Sequence, residues 1–68
     1  MKDVCMVRRK EVEKITGLSR SSIYNMMKMN EFPRPVKLSE RSVAWVYEEI
    51  QTWLNEKIAS SGRYILSE

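Results

Sequence analysis

Histidine is absent from the sequence, and cysteine occurs once, at Cys5, among 68 residues. A chain with one thiol and no imidazole has no internal disulfide, no zinc finger and no Cys–His nucleophile. The close carboxylate pairs Glu11/Glu13 and Glu48/Glu49 stand at helical spacings that point side chains apart, which is unsuited to acid–base catalysis. We therefore expect a non-enzymatic protein without metal or cofactor, and a small buried or edge thiol at Cys5.

Long apolar segments are missing as well. No stretch approaches the roughly 18 apolar residues of a membrane span, and the N-terminus lacks the apolar region of a signal peptide. We expect a cytoplasmic protein with no membrane partner. So short a chain predicts a single domain over residues 1–68, with its core at about residues 8–59. The tail at 60–68 is expected either to fray or to dock as an extra strand or turn.

Charge is plentiful but unevenly distributed. The net charge is +3, yet residues 1–30 carry seven Lys/Arg against three acids, whereas residues 47–68 carry two against four. A small protein with its positive charge gathered in one half suits a polyanion on one side. Many basic proteins of this size bind no nucleic acid, so the charge alone does not decide the function.

Residues 8–16 predict a first short helix. They are polar except for Val12 and Ile15, an i, i+3 pair that marks a one-sided surface helix. Gly17 follows directly, and glycine is the usual residue just past a helix end because it adopts the left-handed conformation freely. Residues 1–7 alternate weakly and predict at most a short strand.

A second helix is predicted over about residues 20–29, after a tight turn. Ser19 is a good N-cap because its hydroxyl accepts a bond from the first helical turn. Asn30 tolerates the left-handed conformation that ends helices, and Pro33 and Pro35 prevent any continuation. Two short helices joined in this way predict a helix–turn–helix.

The second helix has an apolar side and a polar side that lacks acids. Ile23, Met26 and Met27 fall on one side, and no Asp or Glu occurs across residues 18–30. Arginine and asparagine bind guanine and adenine with paired hydrogen bonds, and helix N-termini attract phosphate. The alternative is an ordinary solvated helix face. The predicted DNA contacts of a recognition helix are Ser19, Arg20, Ser21, Ser22, Tyr24, Asn25 and Lys28.

From residue 36 the apolar period changes to two. Val36 and Leu38, then Val43 and Trp45, lie on either side of a polar stretch at residues 39–42, which predicts a two-stranded hairpin. Such a hairpin lies along a phosphate backbone, enters a minor groove as a wing, or simply covers the core. The predicted DNA contacts of the wing and its flanks are Arg9, Lys10, Lys37, Arg41 and Ser42.

The last predicted element is a helix over about residues 47–59. Ile50, Trp53, Leu54 and Ile58 form its apolar stripe at helical spacing. Because both tryptophans of the chain fall on apolar stripes, we expect them to pack in the core rather than to stack on single-stranded bases.

Residues 8–54 resemble the AlpA family of phage-type transcriptional regulators, relatives of excisionases within the MerR-like group. The resemblance rests on the order and spacing of Glu11-Val12, Thr16-Gly17-Leu18-Ser19-Arg20-Ser21, Ile23-Tyr24, Glu31-Phe32-Pro33, Pro35-Val36, Trp45, Ile50 and Trp53-Leu54. It implies an α+β, mostly helical, small winged helix-turn-helix domain with a two-stranded wing hairpin and a C-terminal helix. It also implies a protein that binds bacterial nucleoid DNA near promoters or attachment sites of prophages.

Two departures from the family pattern affect the predicted interface. Asn30 and the pair Ser39-Glu40 stand where the family often has glycine. Asparagine tolerates the left-handed conformation, so the first change is mild. The second places an acid at the wing tip, which argues against deep entry of the wing into a minor groove.

Three functions remain open from the sequence. The first is a sequence-specific regulator of a prophage or mobile element, and the second is an excisionase that bends DNA at attachment sites. The third is a protein-interaction module without DNA binding. The expected partners are double-stranded DNA and either integrase or RNA polymerase. A module this small makes a contact of about 600–1,000 Å², so specificity would require a homodimer, tandem binding on DNA or such a protein partner.

Overall fold

The chain folds as two short helices, a hairpin and a longer helix, with one further strand at the start. The computed structural model describes residues 3–62. The elements are β1 (Met6–Val7), α1 (Arg9–Thr16), α2 (Arg20–Lys28), β2 (Val36–Ser39), β3 (Ser42–Val46) and α3 (Tyr47–Ser61). This confirms the predicted fold class, α+β and mostly helical, with the helix–turn–helix, hairpin and closing helix in the expected order.

Local hydrogen bonds fix the turn between α1 and α2. Gly17 has the left-handed φ of 76°, and its N–H donates to the carbonyl of Glu13 at 2.8 Å. The Leu18 N–H donates to the Thr16 hydroxyl at 3.2 Å. The Ser19 hydroxyl then accepts from the Ser22 N–H at 3.2 Å, as an N-cap does. The sequence therefore determines this turn through adjacent residues alone.

Replacing Gly17 by alanine should destabilise the domain by about 1–2 kcal/mol, because a Cβ is disfavoured in the left-handed region. A Cβ built at Gly17 meets no atom within 4 Å, so the loss reports backbone strain alone. Urea denaturation followed by circular dichroism measures it.

Gly62→Ala is the matched control, with a φ of 67° and equally open space. The preceding helical turn is exposed and can fray, so Gly62→Ala should cost less. Equal losses for the two variants would contradict this account of the turn.

The end of α2 is closed by a two-bond left-handed cap. Asn30 has a φ of 58°. The N–H of Asn30 donates to the Met27 carbonyl at 3.1 Å, and the N–H of Glu31 donates to the Met26 carbonyl at 2.8 Å. This is the Schellman arrangement. Asn30 thus adopts the predicted conformation, although α2 itself ends at Lys28 and Met29 is its cap residue.

The sheet has three antiparallel strands in the order β1-β3-β2. Val7 lies opposite Trp45, and Val36 lies opposite Ala44. Because β3 is the central strand, both Ala44 and Trp45 are fully buried, whereas a simple alternation would bury only one of them. The register of β2 is irregular between Lys37 and Ser39.

Each helix, the loop after α2 and the central strand β3 contribute one residue to the buried core cluster. The buried cluster consists of Val12, Ile23, Phe32, Trp45 and Ile50. Partly buried neighbours, including Met26, Met27, Trp53 and Leu54, pack against it. The prediction that the tryptophans pack in the core is confirmed for Trp45, which is fully buried and donates its indole N–H to the Pro33 carbonyl at 2.9 Å. Trp53 is only partly buried and packs against the edge of the cluster.

Apolar periodicity overestimates burial at the two ends of the molecule. Every residue of β2 is exposed, including Leu38, which is 51% exposed, because the hairpin extends beyond the core. Ile58 is 52% exposed, although it continues the apolar stripe of α3.

Cys5 is exposed beside the edge strand β1, and its carbonyl accepts from the Tyr47 N–H at 2.8 Å. The tail was predicted over residues 60–68. Ser60 and Ser61 continue α3, and residues 63–68 lie outside the described residues.

Candidate nucleic-acid interface

The polar side of α2 faces outward. Arg20, Asn25 and Lys28 are exposed, Tyr24 is 37% exposed, and Ile23 on the opposite side is fully buried. The helix is therefore anchored through its apolar side, and the acid-free side is accessible. Arg20, Asn25 and Lys28 are open to solvent and Tyr24 is partly so, and this outward orientation is the one predicted from the helical period.

The N-terminus of α2 is capped and accessible. A helix begins with four N–H groups that have no intrahelical partner. In α2, the Ser19 hydroxyl accepts a hydrogen bond from one of them, the Ser22 N–H. The Ser19 hydroxyl also donates to the Ser22 hydroxyl at 3.1 Å, and Ser22 is half-buried. Ser21 is exposed. Of the three serines, Ser22 is therefore the least accessible, and the exposed helix end is suited to binding an anion.

Arg20 and Tyr24 form a pair on the outer face of α2. The Arg20 guanidinium carbon lies 5.8 Å from the centre of the Tyr24 ring, at the i, i+4 spacing that brings side chains together on a helix. This contact restricts the arginine before any partner binds. An arginine held in place loses less conformational freedom on binding than a free one.

The face of α1 beside the turn brings predicted flank residues close to the start of α2. Arg9, Lys10, Lys14 and Ser19 line one hollow of about 500 Å³. Arg9 donates to the Glu13 carboxylate at 2.7 Å, so its charge is already compensated. Lys14 was missed by the sequence analysis, although its i, i+4 spacing from Lys10 places both on one face.

The hairpin carries the remaining predicted contacts. Lys37 and Arg41 are exposed, and Ser42 is half-buried at the start of β3. Glu40 is exposed beside Arg41 in the turn. The tip therefore presents opposite charges side by side, which confirms the placement of an acid there.

A further arginine stabilises the end of α2. The Arg34 guanidinium donates to the Met27 carbonyl at 3.0 Å and to the Asn30 side-chain oxygen at 2.9 Å. A cation is favourable at a helix C-terminus, where carbonyl groups are left without intrahelical partners. Arg34 is not identifiable from local sequence, because this contact depends on the left-handed turn at Asn30 and on the path of the chain through Pro33.

Other kinds of site are not found in the described part of the chain. Within residues 3–62, no group of histidine, cysteine and acidic side chains could hold a metal ion. None of the helices there is sufficiently long and apolar to cross a bilayer.

Comparisons with known proteins place the chain among prophage regulators. The model of the family described as Prophage CP4-57 regulatory protein (AlpA) matches residues 5–58. The protein named Uncharacterized protein ORF88, of Enterobacteria phage P4, is 40% identical over 57 residues. That alignment covers 84% of this chain and 65% of the relative. The range matched by the family model contains β1, α1, α2, the hairpin and α3 as far as Ile58.

Proposed function

Because this chain belongs to the AlpA family of prophage regulatory proteins, we propose that it is a sequence-specific DNA-binding regulator. We further propose that it forms one domain and inserts α2 into the major groove of double-stranded DNA, as helix–turn–helix proteins do. Membership of a regulatory family supports a non-enzymatic role for this chain.

The observation that carries the proposal is the outer face of α2. It is exposed, it lies on a helix anchored by the buried Ile23, and it belongs to a stretch without acids over residues 18–30. Phosphate groups repel carboxylates, so an acid-free helix face favours contact with DNA. A helix face that only contacts water would not need to lack acids.

The side chains of α2 divide into base-reading and backbone-binding groups. Residues near the start of a recognition helix reach base edges. Arg20 in the first turn is therefore assigned to guanine, and Asn25 one turn later is assigned to adenine. Ser21 lies at the exposed helix end and Lys28 in the last turn, and both are assigned to phosphates.

The elements beside α2 contribute phosphate contacts. Lys10 and Lys14 lie near the start of α2, and Lys37 and Arg41 lie on the hairpin. Glu40 disfavours entry of the hairpin tip into a minor groove, so the hairpin is assigned to the backbone beside the groove. Because one such module makes a contact of about 600–1,000 Å², a second copy or a protein partner supplies further specificity.

Selection of bound duplexes from a random DNA pool tests the proposal. The chain should enrich one short motif over successive rounds, because direct readout makes a wrong base pair cost about 1–3 kcal/mol. The charge-matched control is Lys57→Ala on α3, which should enrich the same motif. A pool that stays random, with a chain shown to be folded by circular dichroism, would refute sequence-specific binding.

A further inference from the structure

A groove lies between α3 and the loop that follows α2. It has a volume of about 1030 Å³ and is lined by residues of the loop from Asn30 to Pro33 and of α3 as far as Ser60. None of its lining residues is among those assigned to DNA. It is therefore a second surface of the molecule, separate from the outer face of α2.

The floor of the groove is apolar and held in place. The rings of Phe32 and Trp53 meet edge to face, with 4.8 Å between their centres. The Trp53 indole N–H donates to the Glu31 carbonyl at 2.8 Å. Because its one polar atom is already bonded, the part of Trp53 that remains accessible offers only an apolar surface. Such a floor suits an apolar side chain of a partner.

The rim of the groove is acidic. Glu31, Glu48, Glu49 and Glu56 line it, against a single lysine, Lys57. Glu49 and Glu56 are exposed and lie seven residues apart on α3, which places them on one face about 10 Å apart along the axis. The Lys57 ammonium group lies 5.5 Å from the centre of the Trp53 ring. A cation is therefore already accommodated above this floor.

We propose that the groove binds a basic segment of a different protein. An apolar side chain of that segment rests on the accessible part of Trp53, which the buried Phe32 supports. Its lysine or arginine side chains pair with Glu49 and Glu56. Charge complementarity selects a basic segment and excludes DNA itself, because the rim would repel phosphates.

A second copy of this chain is the weaker candidate for the groove. The basic surface of the chain is the one assigned to DNA, so a copy seated in the groove would have to release its DNA. The preference for a different protein over a second copy rests on the proposed function. A different protein, in contrast, can occupy the groove while α2 remains on DNA.

Titration of the ¹⁵N-labelled full chain with a synthetic peptide tests the proposal. The probe is a capped amphipathic helix of about 12 lysine and leucine residues, three helical turns. Amide shifts should concentrate at the groove, around Phe32 and Trp53. The same peptide with glutamate in place of lysine should not bind, since the rim repels it.

Charge reversal separates a specific groove from general attraction. Glu49→Lys with Glu56→Lys should weaken binding of the basic peptide by about tenfold, since two attractive pairs become repulsive. Glu11→Lys with Glu40→Lys changes the net charge equally at exposed positions outside the groove and should weaken binding far less.

Three results would overturn the proposal. Equal weakening by the two double variants would show attraction by net charge only, and shifts confined to α2 would place the peptide elsewhere. Sedimentation could also detect self-association of the chain. If Glu49→Lys with Glu56→Lys abolished that self-association, the occupant of the groove would be a second copy. The groove variant should still enrich the DNA motif of the unmodified chain, so failure of the groove and failure of DNA recognition are distinguishable.

Discussion

Replacing Arg20 by alanine is expected to weaken binding to the selected DNA site by about 1–3 kcal/mol, or roughly 5- to 150-fold. Arg20 is exposed in the first turn of α2 and held against Tyr24, so its loss would remove the base contact proposed for it. Discrimination should relax mainly at one base pair. Fluorescence anisotropy with the selected site and its single-base variants measures both effects.

Two controls distinguish base reading from charge. Lys28→Ala should weaken binding to all sequences alike and reduce the salt slope by about 0.9, since it removes one phosphate contact. Lys57→Ala removes the same charge from α3 and should change neither affinity nor slope. If Arg20→Ala left DNA affinity unchanged, α2 would not be a recognition helix, and a protein-interaction module without DNA binding would be the better account.

Replacing Trp45 by alanine is expected to destabilise the domain by about 3–5 kcal/mol. Trp45 is fully buried, belongs to the core cluster and donates its indole N–H to the Pro33 carbonyl. At roughly 0.05–0.15 kcal/mol per residue, that loss approaches the whole stability of so small a chain. Urea denaturation followed by far-ultraviolet circular dichroism measures it.

Trp53→Ala is the matched control for that experiment. Trp53 also donates its indole N–H to a loop carbonyl, but its ring is only partly buried beside the groove. Trp53→Ala should therefore lower the free energy of unfolding distinctly less than Trp45→Ala, because the substitution removes less buried apolar surface. Near-equal losses, or a Trp45→Ala variant as stable as the parent, would contradict the assigned core.

Local chemistry made the helix–turn–helix predictable. Gly17, Ser19 and Asn30 act through neighbours within a few residues, so their roles follow from residue type and position. The outward direction of Arg20 and Asn25 follows from the helical period once Ile23 is assigned to the core. The fold class and the accessible face of α2 were therefore available from the sequence.

Features that depend on distant parts of the chain were not available in this way. Arg34 caps α2 only because the loop returns to it, and the groove exists only because α3 packs against that loop. The exposure of Leu38 and Ile58 was likewise not predictable from local sequence. Periodicity identifies which side of an element is apolar, but it does not tell how far the opposing layer extends.

The two indole bonds to the loop after α2 have a mechanical consequence. The Trp53 indole N–H donates to the carbonyl of Glu31, and the Trp45 indole N–H donates to that of Pro33. The segment between α2 and the hairpin is therefore tied to α3 at one point and to β3 at another. A connection held at two points within three residues resists hinge motion. The angle between α2 and the hairpin is thus restrained before any partner binds. In the proposed complex, a duplex that touches both elements would have to bend or twist to match that angle.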